Sequence, residues 1–140
     1  MDSYKHKVMA TLRADGSPRV SGTEVEFLLG EAWIGSMSDA RKVDDLRRDP
    51  RVAIHSAPGD PEMRGGDAKL NAIALEVVDP DVKQSFLEAR GGDPGEIPES
   101  FHLYRLDVVE LVHTALGDPP DHLVVRSWSI RDGDKRIERR

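Results

Sequence analysis

The chain contains no cysteine. Disulfides, thiolate catalysis and thiolate-bound zinc or iron–sulfur centres are therefore excluded. A cysteine-free chain suits a reducing compartment, and the expected location is cytoplasmic. Aromatic residues make up only 5% of the chain, so its two tryptophans supply much of the large-ring surface. No apolar run approaches the roughly 20 residues of a membrane span. The opening Met1-Asp2-Ser3-Tyr4-Lys5-His6-Lys7 lacks the apolar core of a signal peptide. No membrane partner is expected. No Gly-x-Gly-x-x-Gly and no Walker loop occurs. Gly35-Ser36-Met37-Ser38 lacks the second glycine of a nucleophile elbow, and nothing marks a paired base. The five histidines form no His-x-His or His-x-x-x-His pair, so no metal is expected. The net charge of -6 would repel a phosphate backbone, so no nucleic acid is expected either.

What remains is 140 residues, the size of one domain spanning 1–140. A hydrophobic content of 38% supports a small core, and a charged fraction of 33% implies a well-solvated surface. Alternation marks strands at 8–14, 19–29, 32–37, 52–57, 68–78, 101–116 and 122–130. On the first, Val8, Ala10 and Leu12 share a face. Asp15-Gly16 signals a hairpin turn. Val20 is out of phase with Val25, Phe27 and Leu29, which places a bulge or a close backbone approach at Gly22. On 68–78 both faces are largely apolar, as in a central strand or one buried at an interface. Loops are expected at 58–66 and 91–100, and a charged tail at 135–140.

Short helices are expected at 39–48 and from Asp79-Pro80 to about Arg90. Ser38 or Asp39 is placed to cap the first, and Ala40, Val43 and Leu46 give its apolar stripe. Asp44 and Asp45 point in different directions and read as solvated. The count predicts a mainly β protein with short helices, an antiparallel barrel whose ends the helices plug.

The junction at residues 33–46 combines a strand, small hydroxylated residues and two cations in one helical turn. Arg41-Lys42 has two readings. One is a solvated helix face; the other is an anion site, formed by exposed amides, the Ser36 and Ser38 hydroxyls and two positive charges. Trp33 reads as core. Trp128 reads as core, as interface, or as a wall for a planar ligand.

Ala10-Thr11-Leu12, Asp15-Gly16-Ser17-Pro18, Trp33-Ile34-Gly35-Ser36, Arg41-Lys42-Val43-Asp44-Asp45-Leu46 and Asp49-Pro50-Arg51-Val52, in that order, resemble the N-terminal half of the pyridoxamine 5'-phosphate oxidase-like proteins. Residues 68–77 resemble that family's next core strand. The resemblance implies a split antiparallel β-barrel (the FMN-binding split barrel), dimeric, with a cofactor at the subunit interface. It implies FMN, or alternatively the deazaflavin coenzyme F-420, and a flavin- or deazaflavin-dependent oxidoreductase moving hydride to or from a small molecule. Carried over by residue, Ser36, Arg41 and Lys42 hold the cofactor phosphate, with Gly35 and Met37 alongside. Arg19, Val20 and Ser21 approach the ring, and Trp128 comes from the partner subunit of a homodimer. No catalytic residue is assigned. The chain ends soon after Trp128 without the substrate-binding extension of true pyridoxamine phosphate oxidases, so vitamin B6 oxidation is not expected. A non-catalytic flavin-binding or sensing protein and a cofactor-free structural dimer are the alternatives.

Overall fold

A computed structural model describes residues 5–56, 60, 62–92 and 101–140. Among them run β1 (His6–Leu12), β2 (Pro18–Leu28), β3 (Glu31–Ser36), α1 (Arg41–Arg48), β4 (Arg51–His55), β5 (Asp67–Val77), α2 (Pro80–Arg90), β6 (His102–Leu116), β7 (Leu123–Ser129) and β8 (Gly133–Arg139). The expected loops at 58–66 and 91–100 lie partly outside the described residues.

The strands pair in the order β3-β2-β1-β4-β5-β6, and β3 also pairs with β6. This closes a six-stranded antiparallel barrel. β7 and β8 continue the sheet beyond it as an extension. One long strand serves both parts because its register shifts midway. Asn71 faces Glu110 while Ala72 faces Val108, so Val109 is the extra residue of a β-bulge. The freed Val109 carbonyl accepts the Ile130 amide at 3.1 Å.

The β1–β2 turn forms where Asp15-Gly16 predicts it. Gly16 takes φ +82, and the Asp15 carboxylate accepts the Ser17 amide at 2.9 Å. The expected bulge at Gly22 is absent, since the β1–β2 register runs unbroken from His6↔Glu24 to Leu12↔Pro18. Val20 is out of phase with Val25 because both faces of β2 carry apolar side chains. Val25 is buried inside, while Val20 is 68% exposed outside. On β1 the expected shared face of Val8, Ala10 and Leu12 is the outer one, and Lys7, Met9 and Thr11 are buried.

The barrel core gathers Met9, Ile34, Ile54, Leu70, Tyr104 and Leu106 among others, with Leu46 entering from α1. α1 thus closes one barrel end. α2 does not plug the other. Its Phe86 packs with Trp33 and Leu103, which alternate out of phase with the core-facing Ile34 and Tyr104, so α2 lies on the outer wall. The Trp33 and Phe86 rings are 5.4 Å apart, and Trp33 Nε1 donates to the Leu28 carbonyl at 2.8 Å. Asp79 caps α2 by accepting the Asp81 amide, and Gly91 ends it in the left-handed conformation. For α1 the expected cap is not made. Ala40 is the N-cap without a side-chain bond, and Ser38 and Asp39 fall in the turn before it. The charged tail is also a correction, for it forms β8, paired with β7 throughout and exposed at every residue.

Asp45 is the largest departure from expectation. Its side chain is 3% exposed and meets three donors. Arg19 Nε lies 2.6 Å and Thr11 Oγ1 2.8 Å from Oδ2, and Arg48 Nη2 lies 3.0 Å from Oδ1. The Arg19 hydrogen bond, helped by those of Thr11 and Arg48, overcomes burial and lowers the Asp45 pKa to about 2. A depressed carboxyl pKa stabilises the fold above its unfolded value of 3.8, and that contribution is lost as pH falls toward 2. Asp45→Asn should cost about 2 kcal/mol and lower Tm by about 5–10 °C at neutral pH. In thermal melts from pH 5 to 2, wild type should lose more stability than the variant, and the two curves should converge.

Candidate functional site

The end of β3 and the start of α1 open onto a cleft of about 480 Å³. Its walls include Gly22, Glu24 and Glu26 of β2, Gly35 and Ser36 of β3, Met37, Lys42, Arg90 and Phe101. Strand alternation explains part of this lining. Gly22, Glu24 and Glu26 share the outer face of β2, and Gly35 lies on the outer face of β3. Gly35 has a steric reason to be glycine, because a Cβ there would come within 2.7 Å of the Phe101 ring.

The charges of the cleft do not cancel evenly. Arg90 Nε meets Glu26 at 3.0 Å, and Glu24 lies 3.4 Å from Lys5 Nζ. Lys42 is different. Its Nζ donates to the Gly22 carbonyl at 3.1 Å, and it has no ion-pair partner among the described residues. Burial lowers its pKa, since a half-desolvated ammonium lacks a compensating anion. Ser36 Oγ, in a buried residue, makes among the described residues only a long 3.4 Å contact to the Met37 carbonyl. A cation short of an anion beside a weakly engaged hydroxyl is an arrangement that a phosphate would complete.

The other expected site residues divide around this cleft. Met37 is on its rim and 81% exposed. Arg41, next to Lys42 but turned by one helical step, lines a separate polar cleft with Arg13, Arg19, Arg48 and the carboxylates of Asp15 and Asp45. Arg19 is committed to Asp45, which raises its own pKa. Val20 projects outward. The Ser21 hydroxyl is buried without a hydrogen-bond partner among the described residues. Trp128 lies on the extension, 38% exposed, in another cleft with Leu111 and Arg126. The fold therefore brings Gly35, Ser36, Met37 and Lys42 together and leaves Arg19, Arg41 and Trp128 apart. Glu24, Glu26, Arg90 and Phe101 carried no local signal of a shared site, because only tertiary packing brings α2 against β2.

Among the described residues no group of three or more His, Asp or Glu is arranged to hold a metal ion. No described helix is long and apolar enough to cross a membrane.

No protein-family model matches the chain, and neither does any curated protein. Solved structures do. A pyridoxamine 5'-phosphate oxidase-related, FMN-binding protein from Nostoc punctiforme PCC 73102 superposes with TM-score 0.68 at 14% identity, covering 97% of this chain and 87% of that one. PhzG from Burkholderia lata 383, in complex with tetrahydrophenazine-1-carboxylic acid, gives TM-score 0.69 at 12% identity, covering 96% and 81%. An F420 reductase gives TM-score 0.55 at 18% identity, covering 76% and 87%. At such identities the likeness speaks for architecture. The closed six-stranded barrel with its helix-capped end is thus the split β-barrel fold of the pyridoxamine 5'-phosphate oxidase-related proteins, as the sequence motifs imply.

Proposed function

We propose that the chain binds a flavin-type cofactor, FMN or alternatively coenzyme F-420, and acts with it as an oxidoreductase on a small molecule. The observation that carries this reading is the half-buried Lys42 ammonium, which faces the cleft beside Ser36 without a carboxylate partner among the described residues. The shared fold supports it, since structures with that fold include an FMN-binding protein and an F420 reductase.

In this reading Lys42 and Ser36 hold the cofactor phosphate, with Gly35 and Met37 beside them. Arg41 adds positive potential from the neighbouring cleft, and Val20 is the member of 19–21 that faces outward. Arg90 matters indirectly, because it screens Glu26 from the incoming anion. The cofactor supplies the redox chemistry, so the protein need only bind, orient and exclude water.

The outer barrel face supports a homodimer. Ala10, Leu12, Ala53, Ile73 and Val109 line an apolar groove of about 400 Å³. An exposed apolar groove of this kind favours association. Trp128 would then join the cofactor only from a second copy.

Lys42→Met should leave Tm unchanged or higher, since it removes a desolvated charge. Low-millimolar sulfate should raise the Tm of the wild type, and Lys42→Met should abolish that rise. Arg90→Ala should reduce that rise by exposing Glu26 to the same anion. Titration with FMN and with the deazaflavin, followed by absorbance and Tm, should show micromolar binding of one of them. Saturation at 100 times Kd should stabilise the fold by about 2.7 kcal/mol, and Lys42→Met should weaken binding at least tenfold. If neither cofactor binds, the oxidoreductase reading fails. If one binds but no electron acceptor is turned over, a sensing role replaces it. Ala53→Glu should convert a dimer to a monomer in sedimentation.

A further inference from the structure

A chain of titratable side chains runs from α1 to the rim of the Lys42 cleft. Arg47 of α1 makes two bonds to Glu76 of β5, at 3.0 and 2.7 Å. The same carboxylate meets His102 Nδ1 of β6 at 3.1 Å. His102 is in turn the direct antiparallel partner of Ser36 on β3. Side chains so paired share a face, with Cβ atoms about 5 Å apart. Ser36 lines the Lys42 cleft. The His102 and Glu76 side chains are only 19% and 26% exposed, so bulk water competes little for their bond.

These contacts select the imidazole tautomer. His102 Nδ1 lies 3.1 Å from Glu76 and 3.3 Å from Arg47 Nη2. Arg47 is already served by both Glu76 oxygens, and its hydrogen bonds hold that carboxyl below its ordinary range. An ionised carboxylate can only accept. Nδ1 therefore carries the proton, and the neutral ring keeps its acceptor at Nε2. Among the described residues Nε2 makes no hydrogen bond, and the Ser36 hydroxyl has only its 3.4 Å contact to the Met37 carbonyl.

We propose that anion binding at Lys42 takes up a proton at His102, with Ser36 as the link; the inference rests on the phosphate reading of that cleft. With the ring neutral, the Ser36 hydroxyl donates to Nε2 and its hydrogen is withheld from the cleft. Protonation reverses the bond. Nε2–H then donates to Ser36 Oγ, and the hydroxyl hydrogen is free for the anion. The imidazolium pairs with Glu76 and adds positive potential behind Ser36. His102 is thus a positioning residue that does not touch the anion. The charged groups facing its ring are Glu76 from β5, Arg47 and Asp44 from α1, and Lys83 from α2, which donates to the Phe101 carbonyl. β3 contributes only Ser36. Tyr104, next on the same face of β6, is pushed up to about 12, chiefly by burial. A second histidine, His6, lines the cleft itself beside Glu24 and requires its own control.

The test is NMR titration of the full chain with sulfate, whose charge is constant between pH 6 and 8.5, at fixed ionic strength. Affinity read from amide shifts should rise at least threefold from pH 8.5 to pH 6. At pH 7, sulfate should move the His102 ring-nitrogen resonances from the Nδ1–H tautomer toward the imidazolium. His102→Gln should still bind sulfate but lose most of the rise, and Ser36→Ala should lose it while binding more weakly. His6→Gln should retain the rise, and Lys42→Met should abolish binding at every pH. The ring-nitrogen shifts of the wild type decide the matter if His102→Gln does not fold. Binding without pH dependence, a rise undiminished in His102→Gln or lost in His6→Gln, or His102 resonances unmoved by sulfate would overturn the proposal and leave the phosphate reading standing. Absence of sulfate binding at every pH would overturn both.

Discussion

The carboxylate of Asp45 is the interaction on which the rest of the arrangement depends. It collects one donor from β1, one from β2 and one from its own helix. Its neighbours Val43 and Leu46 are 1% and 3% exposed, so a charged group lies inside an apolar contact. Such a group is tolerable only because its lone pairs are met by donors of opposite charge. Fixing Asp45 fixes the rotation of α1. Lys42 sits three residues earlier, on nearly the same side of the helix. Its stem is thereby laid against the barrel and its ammonium is brought to the Gly22 carbonyl. The two functions of α1 are thus coupled: the inward carboxylate holds the helix, and the held helix presents the cation.

Charge accounting distinguishes the basic residues better than their number does. Arg19 and Arg48 share Asp45, Arg47 makes two bonds to Glu76, and Arg51 makes two to Asp49. Each is already satisfied by the fold. Among the described residues Lys42, Arg41 and Arg126 line clefts without an ion-pair partner. An anion arriving at a satisfied arginine must compete with a carboxylate already in place. At Lys42 or Arg126 it meets no such competitor, and at Lys42 it also relieves a desolvation cost.

Much of the barrel was legible in the sequence because its strands obey a period of two and its turns use Asp-Gly, Asp-Pro and Gly. The start of α2 at Asp79-Pro80 and its end near Arg90 could be read from the chain, while its caps, Asp79 and Gly91, are seen in the fold. Errors arose where local pattern and tertiary role diverge. Val8, Ala10 and Leu12 do share a face, and nothing in the chain says that it is the outer one, which follows because the barrel end beneath α1 is built from Thr11, Arg19 and Asp45. Asp45 looks solvated, since nothing near it in the chain announces Arg19, 26 residues away. β8 has no buried residue to produce a periodic signal and exists through backbone pairing alone. For the candidate site, the motif-bearing strand–helix junction was legible. The division of Arg41 from Lys42 was not, because it depends on how α1 is rotated against the barrel.

The bulge at Val109 has a further consequence. Before it, β6 is a stave of the barrel, sealed by β3 and β5; after it, the same strand supports β7 and β8. The two described core clusters include no residue of β7 or β8. Opening the terminal hairpin therefore exposes no clustered core and breaks little beyond its ladder of hydrogen bonds. The molecule has two tiers of cooperativity joined through one continuous strand. The amides of β8 should exchange with solvent through a local opening, while those of β1 and β4 await the unfolding of the whole barrel. Val109 marks the place where that hierarchy changes.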